Sequence, residues 1–289
     1  MADAAIHTSQ KSARDHALLF LLWSASAAVA AAFFWIIGDL LIHGFERLSW
    51  SFVTTAPKNA GRAGGIAPIL VSTLLILLIA IAVALPIGVA TAAYLSEFTR
   101  MGGRVRQITN LSLDILAGVP SIVFGLFGNA FFCVWLGLGF SILSGGLTLA
   151  CMVLPILIRT TEAGLSMVPD DWRRGASALG LSRGSALKHV LLPAATPAIA
   201  AGLMLGIGRA AAETAALIFT SGYVDRMPSS LDDSGRALAV HIYDLTMNVA
   251  GGDANAYASA LVLIILLVLI NTAAVVLTNR YRSQRITAS

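Results

Sequence analysis

Apolar residues in this chain come in long unbroken runs, where a soluble fold would alternate them with polar positions. Runs of this kind, at roughly twenty residues each, can cross a hydrocarbon layer about 30 Å thick. Six are expected, over residues 17–38, 67–95, 121–138, 141–157, 194–222 and 256–277. The predicted class is an all-α, multi-span membrane protein. It has an N-terminal tail (1–16), a six-span body (17–280) and a C-terminal tail (281–289). The first run contains small residues of the kind a signal peptidase cuts after ("WSASAAVAAA"), but it exceeds the usual signal-peptide length and more spans follow, so it is expected to remain as an anchor.

Composition agrees with this solvent. Hydrophobic residues make up 57% and charged residues 12% of the 289 positions, about half the charged share of soluble domains, and mean hydropathy is +0.82. The few charges report topology. Six spans put both termini on one side, and thirteen basic residues fall on that side: Lys11, Arg14, Arg100, Arg104, Arg106, Arg159, Arg173, Arg174, Arg183, Lys188, Arg280, Arg282 and Arg285. Five (Arg47, Lys58, Arg62, Arg226, Arg236) fall on the other. The excess predicts cytoplasmic termini in a plasma (inner) membrane. The basic balance then reflects the anionic inner leaflet, with no nucleic-acid surface implied. Cys133 and Cys151 both lie in spans and read as small apolar fillers, and no metal site or catalytic constellation is expected.

The longest cytoplasmic connection, about 159–193, reads "RTTEAGLSMVPDDWRRGASALGLSRGSALKHVLLP". Pro169 and Asp170 suit a helix start, Gly180 suits its stop, and Ser182 can cap a second helix running to Pro193. Two short helices meeting at a tight turn are predicted. Outside, in the loop about 223–256, Leu238, Ile242, Leu245 and Val249 recur at helical spacing and predict an amphipathic helix on the membrane surface.

The segment "ASALGLSRGSALKHVLLP" resembles the coupling loop of ABC importer permeases, in which a small-residue helix and a glycine precede an aliphatic-x-Leu-Pro ending. Gly180 and the ending Val190–Leu191–Leu192–Pro193 match at the family spacing. Arg174, Gly175 and Ala176 stand where the family usually has Glu-Ala-Ala, so the glutamate's polar contact is missing. The resemblance implies that Arg174, Gly175, Ala176, Leu179, Gly180, Leu192 and Pro193 serve coupling to a separate ATPase. Further stretches ("DILAGVPSIVFGLFG", "GRAAAETAALIF") look like the A-type permease of the phosphate-specific ABC importer, over roughly residues 50–280. That implies a six-span type I importer permease. Its partners would be a second homologous permease, two copies of a cytoplasmic ATPase carrying ATP and Mg, and an external phosphate-binding protein. No G-x-x-x-x-G-K-S/T occurs in this chain, so the engine has to be another protein.

Arg209 and Glu213, four residues apart in the fifth run, are the candidate pathway residues, with Thr214 beside them and Ser121 at a predicted helix start. Spacing by four sets both charges on one helix face. An intramembrane charge costs roughly 2.5–3.5 kcal/mol on insertion scales and normally faces a partner or a watery path. Two readings follow: a self-neutralising pair that fixes packing, or an anion station in which Arg209 takes the substrate and Glu213 prevents a trap. In the family the matching pair is implicated in transport, and Ala212 replaces the glycine usual before the glutamate. Ser121 could line an inner vestibule or be a serine satisfied locally. The alternatives to phosphate import are another oxyanion (sulfate, molybdate, phosphonate) or, less favoured, a secondary carrier. The latter should show inverted repeats and several coupling carboxylates, and the spans as drawn hold one acid, Glu213.

Overall fold

The computed structural model describes residues 2–100 and 102–286, so the last three residues of the expected tail lie outside it. The chain runs through α1 (Ala2–Phe45), α2 (Trp50–Thr54), a hairpin of β1 (Pro57–Lys58) and β2 (Ala63–Gly64), α3 (Ala67–Ala93), α4 (Arg104–Gly118) and α5 (Ser121–Gly128). It continues through α6 (Ile142–Ser166), α7 (Asp170–Ala178), α8 (Arg183–Ala186), α9 (Leu192–Ala211), α10 (Ala215–Ile218), α11 (Leu238–Met247) and α12 (Asp253–Ile286). Among the described residues, five helical stretches are long and apolar enough to cross a membrane: Leu18–Phe45, Ala67–Phe98, Ile142–Ser166, Arg183–Ala211 and Asp253–Val276. The third expected span is different. Ser121–Trp135 is too short alone, at 15 residues or about 22 Å, and is bent by 102° from Arg104–Gly118. Val119 and Pro120, both extended, make the break.

α3 and α6 form the core and pack on each other along their length, with α9 against α6. Ile76, Ile79 and Ala80 meet Leu149 and Val153 in one buried cluster. Where water supplies no drive between helices, close approach of small residues does the work. A side chain at Gly146 would run into Ile79, one at Gly164 into Ala198, and one at Gly202 into Thr160. Pro86 and Pro155 both lie inside continuous helices. By contrast α1 exposes Phe20, Trp23, Phe34 and Trp35, as suits a helix facing lipid or another protein chain.

Two expectations shift here. The coupling loop begins at Met167, because α6 continues through Ser166; Arg159 and Glu162 therefore belong to a span. The outer helix forms as α11, but it is built into the core. Leu238 and Leu245 are fully buried, and α11 packs on α12 and α3. A hydrogen bond from the Leu238 amide to Thr73 Oγ1 (2.8 Å) ties it to α3. Periodicity identified the helix, but the surface that its apolar face covers is another helix.

α11 also holds a buried titratable group. His241 is 1% exposed and lies under Gly61 of the hairpin turn, where an added Cβ would meet its ring at 3.1 Å. Arg236 Nη1 stands 3.4 Å from His241 Nδ1 and pairs with Asp244 Oδ2 at 3.0 Å. Burial first, and the Arg236 charge second, depress the His241 pKa from 6.5 to about 4. The folded state therefore holds this imidazole neutral while the unfolded chain protonates it, so stability falls as pH drops from 6.5 towards 4. Near pH 5 the loss is expected to reach about 2 kcal/mol. Thermal unfolding of the purified protein at neutral and acid pH checks this: His241→Gln is expected to lose less Tm on acidification than wild type.

Candidate functional site

The fifth apolar run does not make one helix. α9 stops at Ala211, residues 212–214 are non-helical, and α10 restarts at Ala215. Arg209 is in the last turn of α9, where a cation complements the helix dipole. Glu213 lies beyond the break and its Oε1 accepts from the Ala216 amide at 3.2 Å, in the first turn of α10. Thr214 is the cap residue of α10, but its side chain makes no capping hydrogen bond; Glu213 does that work instead. The expected arrangement on one helix face is thus corrected, because the break intervenes. No ion pair forms between Arg209 and Glu213 among the described residues. Arg209 is exposed and Glu213 half-buried.

Packing sets the depth of this cation. Gly206 lies against Val153, near the middle of α6, so Arg209 is one turn outward from the middle of the bundle. The break is also lined by the third span. A Cβ at Gly125 would meet Ala216 Cα at 2.9 Å, so α5 touches the α10 backbone there, and one at Gly128 would run into the side chains of Thr148 and Thr220. Asn129 Nδ2 closes the contact by donating to the Phe219 carbonyl at 2.8 Å. Ser121 heads α5 one turn before Gly125, which sets it level with the break. It forms no hydrogen bond with Arg209 or Glu213. The interruption therefore leaves a guanidinium in the last turn of α9 unpaired within this chain, among the described residues, with a carboxylate four residues on that is already oriented.

The other candidate region is at the opposite end of the bundle from α11. α7 starts after Pro169, with Asp170 as its first residue paired to Arg173 rather than capping (3.3 Å). Gly180 adopts φ +74°, the left-handed stop expected of it. Ser182 Oγ accepts from the Ser185 amide at 3.2 Å, as its capping role requires. Arg174 is exposed, with only a 3.9 Å contact to Asp171. A side chain at Gly175 would meet nothing, Ala176 is buried, and Leu179 is 81% exposed. Leu192 and Pro193 sit half-buried at the head of α9. Met167 and Trp172 add to the exposed apolar surface of Leu179.

A charged cluster not anticipated from the sequence joins α4 to α6. Glu162 Oε1 receives Arg106 Nη2 at 2.6 Å, and its Oε2 lies 3.8 Å from Arg159. Arg159 in turn binds Asp114 at 2.6 Å and the Asn110 side chain at 3.0 Å. The partners are 56 and 49 residues apart in the Arg106 and Asn110 contacts. The local signal was an Arg159/Glu162 spacing of three just after the fourth apolar run.

Residues 84–283 match the family described as the binding-protein-dependent transport system inner membrane component. Among similar proteins, a probable ABC transporter permease, YqgI of Bacillus subtilis, is 32% identical over 86% of this chain and 90% of its own length. The phosphate transport system permease protein PstA of Mycobacterium leprae is 35% identical over 88% of this chain and 81% of its own. Solved structures share the fold at low identity. A bacterial ABC transporter involved in the import of the acidic polysaccharide alginate matches with TM-score 0.59 at 15% identity, covering 89% of this chain and 96% of that one. The inward-facing MetNI methionine transporter matches with TM-score 0.56 at 17% identity, covering 75% and 94%. This protein belongs to the binding-protein-dependent inner-membrane components: it is a multi-pass permease of an ABC importer, working with an ABC ATPase and a binding protein and not itself an enzyme.

Proposed function

We propose that this chain forms half of the path of an ATP-driven phosphate importer and that Arg209 is its anion station. The observation that carries the reading is the exposed Arg209 beside the break that ends α9, with no ion-pair partner among the described residues. Its relatives include permeases named for phosphate transport. A guanidinium stays charged at any relevant pH and presents a planar fork of donors to a tetrahedral oxyanion. Glu213, oriented by the Ala216 amide, supplies negative charge beside it. A protonated phosphate can donate to that carboxylate, whereas sulfate has no proton to give and is repelled. The same carboxylate keeps an unopposed cation from holding the anion too tightly to release it.

The complex would contain a second homologous permease, two cytoplasmic ATPase copies with ATP and Mg, and an external phosphate-binding protein. Both termini would be cytoplasmic, which puts α7 and α8 on the ATPase side. Exposed Met167, Trp172 and Leu179 supply apolar docking surface there, and Ser121, level with the break, would line the approach to the station. The test is uptake of radiolabelled phosphate with and without excess sulfate, in wild type and Glu213→Gln. Sulfate is expected not to compete in wild type and to compete in the variant. Undiminished phosphate preference in Glu213→Gln removes the carboxylate from selectivity, and transport of a different oxyanion by wild type overturns the substrate assignment.

A further inference from the structure

We propose that Glu97 and Arg173 are a positioning pair that carries the movement of the coupling helix α7 directly into α3, a second route beside the chain connection into α6. This rests on the reading of α7 as the ATPase-docking element.

The two neighbouring arginines of α7 are used in opposite ways. Arg174 points to solvent, 80% exposed, with one 3.9 Å contact. Arg173 turns inward and engages all five of its N–H donors. Nη2 donates to Glu97 Oε1 at 2.8 Å and Nε to Glu97 Oε2 at 3.2 Å, a two-point fork on one carboxylate. The second Nη2 hydrogen goes to the Leu165 carbonyl at 2.8 Å, at the end of α6. Nη1 serves the Val168 carbonyl at 2.8 Å and Asp170 at 3.3 Å. One guanidinium thus joins the end of α6, the turn after it, α7 itself and the end of the second span.

Glu97 is held for this contact. It lies in Tyr94–Phe98, where α3 widens into a π-helical turn; such turns frequently accompany functional positions. Ser96 Oγ donates to Glu97 Oε1 at 3.0 Å, and the carboxylate is only 13% exposed. On the α7 side, the hydrogen bond to Glu97 holds Arg173 more firmly in its charged form, against the opposing effect of burial. A bidentate, largely desolvated pair is stiff, unlike an exposed ion pair. α3 then leads to the other end of the bundle, where Thr73 binds the α11 amide. The pair therefore joins a continuous set of packed contacts from the coupling helix to the outer face. Arg173 and Glu97 touch neither the anion station nor nucleotide, so their effect is on transmission.

The test uses the full complex in proteoliposomes with the external binding protein, reading labelled phosphate imported against ADP released. Glu97→Gln keeps the shape of the side chain and removes its charge; Arg173→Lys keeps charge and removes the fork. Both are expected to retain the ATPase at the wild-type ratio on purification and to keep basal hydrolysis. Phosphate imported per ADP, and stimulation of hydrolysis by the binding protein, are expected to fall about tenfold, the scale of losing a charged hydrogen bond. A merely structural brace would lower yield or Tm with that ratio unchanged. An unchanged ratio and unchanged stimulation in both variants overturn the proposal, as does loss of the ATPase from the complex. If wild type hydrolyses ATP on addition of the binding protein yet imports no phosphate, the substrate reading fails by itself. The stimulation measurement then still decides the role of the pair.

Discussion

Arg209→Gln is expected to reduce phosphate uptake by at least about a hundredfold while leaving insertion and ATPase association intact, because charge-assisted contacts to an anion in a dry site are worth roughly 1.5–3 kcal/mol each and the fork supplies two. The side chain is exposed and forms no ion pair or hydrogen bond within its own chain among the described residues, so removing it costs the fold little. That separates it from the usual buried charge, whose loss destabilises. Arg209→Lys makes the sharper comparison. It keeps the charge and loses the planar fork, so it is expected to transport with intermediate rate and weakened discrimination. Uptake of labelled phosphate, normalised to permease and ATPase on a blot, checks both variants. Normal transport by Arg209→Gln would remove this arginine from the path and turn attention to Ser121.

Glu162→Ala has the second large expected effect, and it acts on the fold. Glu162, 9% exposed at its side chain, neutralises Arg106 at 2.6 Å and lies within 3.8 Å of Arg159. Arg159 retains Asp114 and Asn110 in the variant, whereas Arg106 is left as a largely buried, unopposed cation. Breaking a buried pair from one side costs about 3–5 kcal/mol, a large part of the stability of a domain. α4 would lose this tie to α6 and keep those that Arg159 makes. Glu162→Gln keeps an acceptor for Arg106 and is expected to lose roughly half as much. Membrane abundance and the Tm of the purified permease should therefore rank wild type above Glu162→Gln above Glu162→Ala. Equal Tm for all three would mean that Arg106 reaches water without cost.

The two predictions separate the two kinds of charge in this bundle. The cluster around Glu162 is self-satisfied and holds the bent α4 against the core. Arg209 is unsatisfied within its own chain, among the described residues, and sits next to a break in the helix that carries it. In the sequence, Arg106 and Arg159 count only among the charges of the connections, and Arg209 and Glu213 alone fall within an expected span.

Much of the fold was legible in the sequence because its causes are local. Runs of apolar residues named the spans, Gly180 at φ +74° and the Ser182 cap marked the coupling turn, and Leu238 and Leu245 marked α11 by their period. The coupling and pathway motifs are short, contiguous strings, so a resemblance could be read from them. What the tertiary structure decided depends on contacts between distant parts of the chain. A spacing of four says that Arg209 and Glu213 share a face only if one helix carries both. The helix breaks at residues 212–214, just before Gly125 meets the α10 backbone, and Glu213 then caps the new start. Likewise Arg173 and Arg174 are indistinguishable as adjacent letters, and only the carboxylate 76 residues away makes one a bolt and leaves the other in water. Local propensity specifies helices and their ends; which charge is paired, and which is left to meet a substrate, is set by the packing that brings remote residues together.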